Sequence, residues 1–377
     1  MNVNSPFIEK RVNALFTIIE NVKVKWSRYK AYKFFSAQFK DFIESHHFEN
    51  KKLEGEDAYI QKWSALSKKV EVYSYRFFSH YCGLTPNIVP ENIGRYYIEP
   101  FLNPVKYRYP YADKNMFPRI IGKEYVPRTV VCRINGRMLL DSDFTLADKD
   151  LKKYIGDSTS LILKPSVGTN SGDGVIKFNK VGEEFVSIDG KVTLTKEFLM
   201  SYGRNFCLQE AVCQHEFMNH LCATSVNTIR LCLYRSLSDN QSVVTAGIIR
   251  IGKQGAIVDN AHAGGVFVGV DMASGELDKH IIGQDFYKHD KWNDVDFSKE
   301  TLVVPNWDEV IDFAKYIGTR LPHHRLIALD IALDTKGKPI LIEYNIDFFG
   351  YWLFMLTNQE VFGKYTDEVI DYCKMLL

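Results

Sequence analysis

LIALDIALDTKGKPILIEYN, running from Leu326 to Asn345, carries the plainest structural pattern in the chain. Two apolar runs, Leu326 to Leu333 and Ile340 to Tyr344, flank Thr335-Lys336-Gly337-Lys338, and a run-turn-run of that length is the pattern of a β-hairpin. A turn centred between Lys336 and Gly337 pairs Thr335 with Lys338 and Asp334 with Pro339, and counting up the ladder then sets Asp330 opposite Glu343. Side chains alternate along a strand, so one face is expected to carry Ile327, Leu329, Ile331, Leu333, Ile340, Ile342 and Tyr344. The other face is expected to carry Ala328, Asp330, Ala332, Leu341, Glu343 and Asn345. Directly opposed carboxylates repel unless something positive sits between them. The oxygen-bearing trio Asp330, Glu343 and Asn345, beside small alanines, suits a hard cation such as Mg²⁺, which takes few protein ligands and completes its shell with substrate phosphates. A solvated outer face would show the same pattern, so the decision rests on the rest of the chain.

The chain has 377 residues, 46% hydrophobic and 25% charged, enough for two or three lobes with a substantial core. A formal net charge of +1 provides no field for nucleic acid, and no segment approaches the roughly 18 apolar residues needed to span a bilayer. MNVNSPFIEKRV lacks the pattern of an export signal, which predicts a cytoplasmic protein, with the inner face of the membrane as a peripheral location. The seven cysteines, Cys82, Cys132, Cys207, Cys213, Cys222, Cys232 and Cys373, are scattered and never spaced Cys-x-x-Cys. That predicts buried thiols in a reducing compartment, not a disulfide or zinc framework.

Composition and periodicity predict an α+β protein in three regions. Residues 1–105 read as helical, with helices over Phe7 to Val22, Trp26 to Ser45 and Glu56 to Cys82. Within them, Asn21 to Lys40 interleaves Lys23, Lys25, Arg28, Lys30, Lys33 and Lys40 with aromatic residues and contains no acid. Such a helix either lies on an anionic membrane or holds a polyanion, or is a solvated face over an aromatic core stripe. Residues 106–205 turn to short strands: Thr129 to Ile134, the Asn135-Gly136 turn and Arg137 to Leu140 form a hairpin signal. A helix over Thr145 to Ile155 and a strand over Ser160 to Lys164 follow. Residues 206–377 repeat the mixture, with an amphipathic helix over Trp307 to Arg320.

Between strands, Lys164-Pro165 leads into Ser166, Gly168, Gly172 and Gly174, a loop whose backbone N–H groups can meet phosphate oxygens with a lysine at its base. It matches neither of the two familiar nucleotide-loop signatures. A mobile surface turn is the bland alternative. Lys164-Pro165, this loop, Gln209-Glu210-Ala211-Val212, Asn227-Thr228-Ile229-Arg230, and Asp330 followed thirteen residues later by Glu343-Tyr344-Asn345 together resemble the ATP-grasp superfamily. Ser225 to Arg230, Val258 to Gly265 and Pro305 to Glu309 resemble more narrowly the sugar-transfer-associated ATP-grasp proteins of polysaccharide gene clusters. The resemblance covers about Tyr111 to Asn358 and leaves the helical beginning outside.

The resemblance implies an ATP-grasp fold, two α/β lobes with antiparallel sheets clasping ATP and Mg²⁺. It implies Asp330, Glu343 and Asn345 as metal ligands, and Lys114 and Lys164 on the nucleotide phosphates. Glu210, Ala211, Val212 and Cys213 would form the adenine hinge, with Glu216 toward the ribose, although Gln214-His215-Glu216-Phe217 departs from the usual acid-rich sequence there. Arg230 and Arg250 would steady the phosphoryl group in flight, and Lys253, Asn260 and His262 would border the acceptor. The implied reaction is ADP-forming ligation of a carboxylate to an amine through an acyl phosphate. The implied partners are an amino acid or other small amine and a sugar or polysaccharide carboxylate. A kinase acting on a hydroxyl and an inactive adaptor that docks a glycosyltransferase through the basic helices are the alternatives.

Overall fold

The computed structural model describes residues 6–377 except 138, 148–150, 169–171, 258 and 260–263, with side chains from residue 19 onward. Two compact units emerge, Met1–Phe101 with Glu360–Leu377, and Leu102–Gln359.

In the first unit one helix, Pro6–Ser45, replaces the two expected, because nothing between Val22 and Trp26 breaks a helix. Ala31, Phe35, Phe39 and Ile43, spaced four apart, bury one stripe of it. Phe39 meets Phe77 and Phe78 of the helix Tyr73–Cys82 with ring centres 5.9 and 5.2 Å apart. The long helix expected over Glu56 to Cys82 is two, Glu56–Trp63 and Tyr73–Cys82. Glu71 starts the second by accepting the backbone N–H of Ser74 at 2.9 Å, and burial pushes its carboxyl up to about 7. The last helix, Thr366–Leu376, which the sequence placed with the final lobe, joins this unit. Polar contacts fix it there: Lys62 reaches Asp367 at 2.6 Å, and Thr85 donates to Glu360 at 2.6 Å.

In the second unit strands β1 (Thr129–Arg133), β2 (Ser160–Pro165), β3 (Ile176–Val181), β4 (Glu184–Ser187) and β5 (Phe206–Glu210) form an antiparallel sheet in the order β1-β5-β2-β3-β4. Next come β6 (Thr228–Arg235), β7 (Ser242–Ile251), β8 (Val266–Val270), β9 (Leu277–Ile282) and β10 (Lys288–His289). A small ribbon of β11 (Lys291–Trp292) and β12 (Val295–Asp296) follows, and then β13 (Leu326–Leu333) and β14 (Pro339–Asn345). The larger sheet runs β10-β9-β8-β7-β6-β13-β14. Asn135 and Gly136 turn with positive φ as the sequence suggests, whereas the helix expected over Thr145 to Ile155 is seen among the described residues only at Lys152–Ile155, Leu146 bridging Leu140 instead. The helix Trp307–Arg320 buries Val310, Phe313, Ala314 and Ile317 against Leu231, Leu233, Ile249, Ile327, Leu329 and Ile331, so one face of the larger sheet is core. The opposite face carries Thr228, Arg230, Arg250 and Asp330 among buried apolar residues such as Cys232, Ile248 and Phe267. All seven cysteines are free, and all but Cys82 and Cys213 are buried.

The β13–β14 hairpin has the expected Asp330–Glu343 pairing by a different route. Asp334 N–H donates to Lys338 O at 3.0 Å, which makes a three-residue loop ending on Gly337 at φ +79°. Leu333 therefore faces Pro339, Ala332 faces Ile340 and Ile331 faces Leu341, one position away from the simple count. A β-bulge then leaves Ile342 unpaired and returns Asp330 to Glu343 and Ala328 to Asn345. The two offsets cancel at the acids but not between turn and bulge. Contrary to expectation, Leu341 is fully buried in the core, while Ile340 and Ile342 are half-buried on the other face. Asn103, itself buried, clamps the open end of the hairpin by donating to Leu326 O at 2.5 Å and Ile346 O at 3.0 Å.

Candidate active site

The face of the larger sheet away from the helix Trp307–Arg320 and the inner face of the smaller sheet line a cleft of about 390 Å³. In β2, Leu161 and Leu163 enter the core of the small lobe, so alternation sends Ile162 and Lys164 to the cleft. In β6 the same alternation sends Thr228 and Arg230 there, β7 adds Arg250, and the hairpin adds Asp330, Ile342, Glu343 and Asn345.

Asp330 sits in mid-strand opposite both Glu343 on β14 and Arg230 on β6. Arg230 grips it with both arms of its fork, Nε to Oδ1 at 2.8 Å and Nη2 to Oδ2 at 2.7 Å. Arg250 Nη2 lies 3.3 Å from the same Oδ1, and Asn345 donates to Oδ2 at 3.2 Å. Burial alone would raise the Asp330 carboxyl, but the two arginines outweigh it and hold the group below the usual carboxylate range. Thus the positive charge that directly opposed acids require is supplied by the neighbouring strands. Glu343 is answered separately by Lys114 Nζ at 2.9 Å.

A second cluster adjoins. Arg250 Nε and Nη2 take the Thr228 hydroxyl oxygen at 3.1 and 2.9 Å, Thr228 donates onward to Asp259, and Arg250 lies 3.4 Å from Asp259. Burial raises the Asp259 carboxyl above its ordinary value, with Arg250 pulling against it. Burial likewise lowers the Lys164 ammonium, and the charge of Lys114 pushes the same way.

Lys114, Lys164, Gly172, Glu210, Val212, Arg230, Arg250, Asp330, Glu343 and Asn345 all line this one cleft. At the hinge the Glu210 carboxylate is taken by Arg128 and Ser158, while Ala211 N–H bonds Ser160 O at 3.0 Å. Among the described residues the Val212 and Cys213 amides donate to nothing in the chain, as an edge that reads a base would require. Ser166 is buried beside the cleft, where its carbonyl accepts Lys114 N–H at 2.9 Å, and Gly168 and Gly174 hold positive φ in the loop. Glu216 and Lys253 are exposed and are not brought to the cleft wall. Asn260 and His262 lie outside the described residues.

Sequence reasoning missed Thr228, Asp259, Asp347, Phe348 and Trp352, which also line the cleft. Thr228 was legible as the residue two before Arg230, on the same strand face. Phe348 had no such signal: it is 54% exposed, at φ +52°, a conformation in which bulky side chains are rare.

A family model for sugar-transfer-associated ATP-grasp proteins matches residues 95–370. The chain belongs to this family. The ATP-grasp fold accounts for the two antiparallel sheets facing one cleft. No curated protein matches the chain by sequence. Among solved structures, a D-cycloserine synthetase, DcsG, is 13% identical over 70% of this chain and 73% of its own, with a TM-score of 0.37. The ATP-grasp ligase PsnB, solved with a precursor peptide and AMPPNP, is 12% identical over 72% and 62%, with a TM-score of 0.37. An L-amino acid ligase from Bacillus licheniformis is 11% identical over 66% of this chain and 47% of its own, with a TM-score of 0.34. This chain therefore spans less than two thirds of the latter two, and likeness at this level adds nothing to the family assignment.

Proposed function

We propose that this ATP-grasp protein is an ATP- and Mg²⁺-dependent ligase that joins a carboxylate, carried by a sugar or polysaccharide, to an amine. The observation carrying the reading is the cleft floor, where Asp330 and Glu343 face each other among Lys114, Lys164, Arg230 and Arg250. The donors suit Mg²⁺, being two carboxylates and a carboxamide whose oxygens are the ligands a hard cation takes. Among the described residues no cluster of three His, Cys, Asp or Glu forms a protein-only metal cage, and a cation that arrives with phosphates needs none. Asp330, Glu343 and Asn345 would hold the ion, which when bound neutralises phosphate charge. Asp330 already receives Arg230, Arg250 and Asn345, so binding there has to displace at least one of them.

The reaction this supports begins with attack of the acceptor carboxylate oxygen on the γ-phosphorus of ATP, which breaks the bond to ADP and gives an acyl phosphate. An amine then attacks the acyl carbon, loses a proton and expels phosphate. The first step needs little acid or base chemistry, and Lys164, Arg230 and Arg250 supply charge where it develops. Lys114 and the free hinge amides hold the nucleotide. The sugar side of the reading is supported by Phe348 and Trp352 on the cleft wall, because the C–H face of a sugar ring packs on an aromatic face. Incubation with ATP, Mg²⁺, a uronate-bearing oligosaccharide and amino acids should release ADP with amide formation, and hydroxylamine should trap a hydroxamate. ADP release with phosphate on a hydroxyl and no hydroxamate would mark a kinase, and AMP release would defeat both.

A further inference from the structure

The N-terminal helix carries apolar residues on two opposite faces, and its fold uses one. Ala31, Phe35, Phe39 and Ile43 are buried. Ile19, Val22, Trp26, Tyr29 and Phe34 are 41, 61, 58, 44 and 60% exposed. Spacings of three and four residues set Ile19, Val22, Trp26 and Tyr29 along one outward line, and Lys23, Lys30 and Lys33 fall beside them. Lys30 Nζ rests 3.5 Å from the centre of the Trp26 ring and Lys33 Nζ 5.3 Å from that of Tyr29, whose ring, at the edge of the face, is also approached by Lys69 Nζ at 4.9 Å. Arg28 is different, since it donates to Tyr96 O at 3.2 Å and lies over the Tyr97 ring. The lysines are thus surplus to the fold.

We propose that this face docks on an anionic lipid surface, with the aromatic and aliphatic side chains in the headgroup layer and the lysines against lipid phosphates. Charge complementarity selects that occupant, because no acid falls between Asn21 and Lys40. A second copy would set the same lysines against one another. A nucleic acid strand would use Trp26 and Tyr29 for stacking but leaves Ile19 and Val22 without a partner. Among the described residues no helix is long and apolar enough to cross a membrane, so the binding is interfacial. The aromatic rings and the lysine stems are amphipathic in the sense such a layer rewards.

Flotation of the full chain with vesicles tests this. Binding is expected with phosphatidylcholine mixed with phosphatidylglycerol, not with phosphatidylcholine alone, and should weaken as salt screens the charges. Each of Lys23, Lys30 and Lys33 changed to Gln should cost about fivefold in partitioning. Brominated lipid should quench tryptophan fluorescence on binding, and Trp26→Phe should remove that quenching. All these positions are exposed, so thermal midpoints and nucleotide binding should stay unchanged. Equal partitioning onto neutral and anionic vesicles, no partitioning onto either, or quenching that survives Trp26→Phe would overturn the proposal. So would lysine variants that change self-association or retention of single-stranded DNA and leave flotation as it was.

Discussion

Replacing Asp330 by Asn tests whether the acids of the cleft floor are neutralised as the geometry says. The Asp330 side chain is 2% exposed and that of Arg230 12%, so solvent screens this pair little. Charges about 4 Å apart attract by about 4 kcal/mol at an effective dielectric of about 20, and removing one partner of a buried pair costs about 3–5 kcal/mol. Asn keeps one acceptor for Arg230, and Arg250 retains Asp259, which puts Asp330→Asn at the lower end, about 3 kcal/mol. In a unit of this size that corresponds to a melting point lower by about 6–12 °C. The sign with pH is fixed as well. The folded carboxyl lies below its unfolded value, so its stabilisation is present above the unfolded value and lost as pH falls through the folded one. The gap between wild type and variant should therefore close in acid. Urea unfolding of Asp330→Asn, Arg230→Gln and the double variant should give a coupling of about 2 kcal/mol or more. A cost below about 1 kcal/mol, or additivity within about 0.5 kcal/mol, would refute the account of the cleft floor.

Four further outcomes follow from the hairpin and the first unit. Leu341→Ala should lower stability by about 2–5 kcal/mol in urea unfolding. Ile342→Ala should cost far less and act instead on nucleotide affinity, since the bulge sends Leu341 to the core and Ile342 to the cleft. Gly337→Ala should cost about 1 kcal/mol or more in the same assay, because φ is +79° and the new Cβ would lie 2.6 Å from Asn306 Nδ2. Glu71, raised to about 7 by burial, contributes stability that is full below its unfolded value and lost as pH climbs through about 7. Glu71→Gln should flatten the pH dependence of unfolding in the first unit across that window, by roughly 3 kcal/mol at most.

The α+β class and the hairpin were legible because strand alternation is a local property of the chain, whereas the opposition of Asp330 and Glu343 came out as counted only because the loop and the bulge offset each other. Arg230 was legible from strand alternation, and Thr228, two residues away on the same face, was missed although the same alternation places it there. The bulge was not, since a three-residue loop and a two-residue turn leave the same apolar pattern and only side-chain packing chooses between them. Nor was Asn103, which sits 223 residues from Leu326 and joins it through backbone oxygens that no sequence pattern marks.

Residue order alone marks which residues carry charge and which segments form strands, and it marks the apolar faces wherever no bulge intervenes, as one does at Leu341 and Ile342. Tertiary structure decided which charges meet: Arg250 reaching Asp330, Lys114 reaching Glu343, Asp259 closing on Thr228. Periodicity is set by backbone geometry within a few residues, whereas a salt bridge between strands depends on register and twist, and those are fixed only when the cores on the far sides of both sheets have packed.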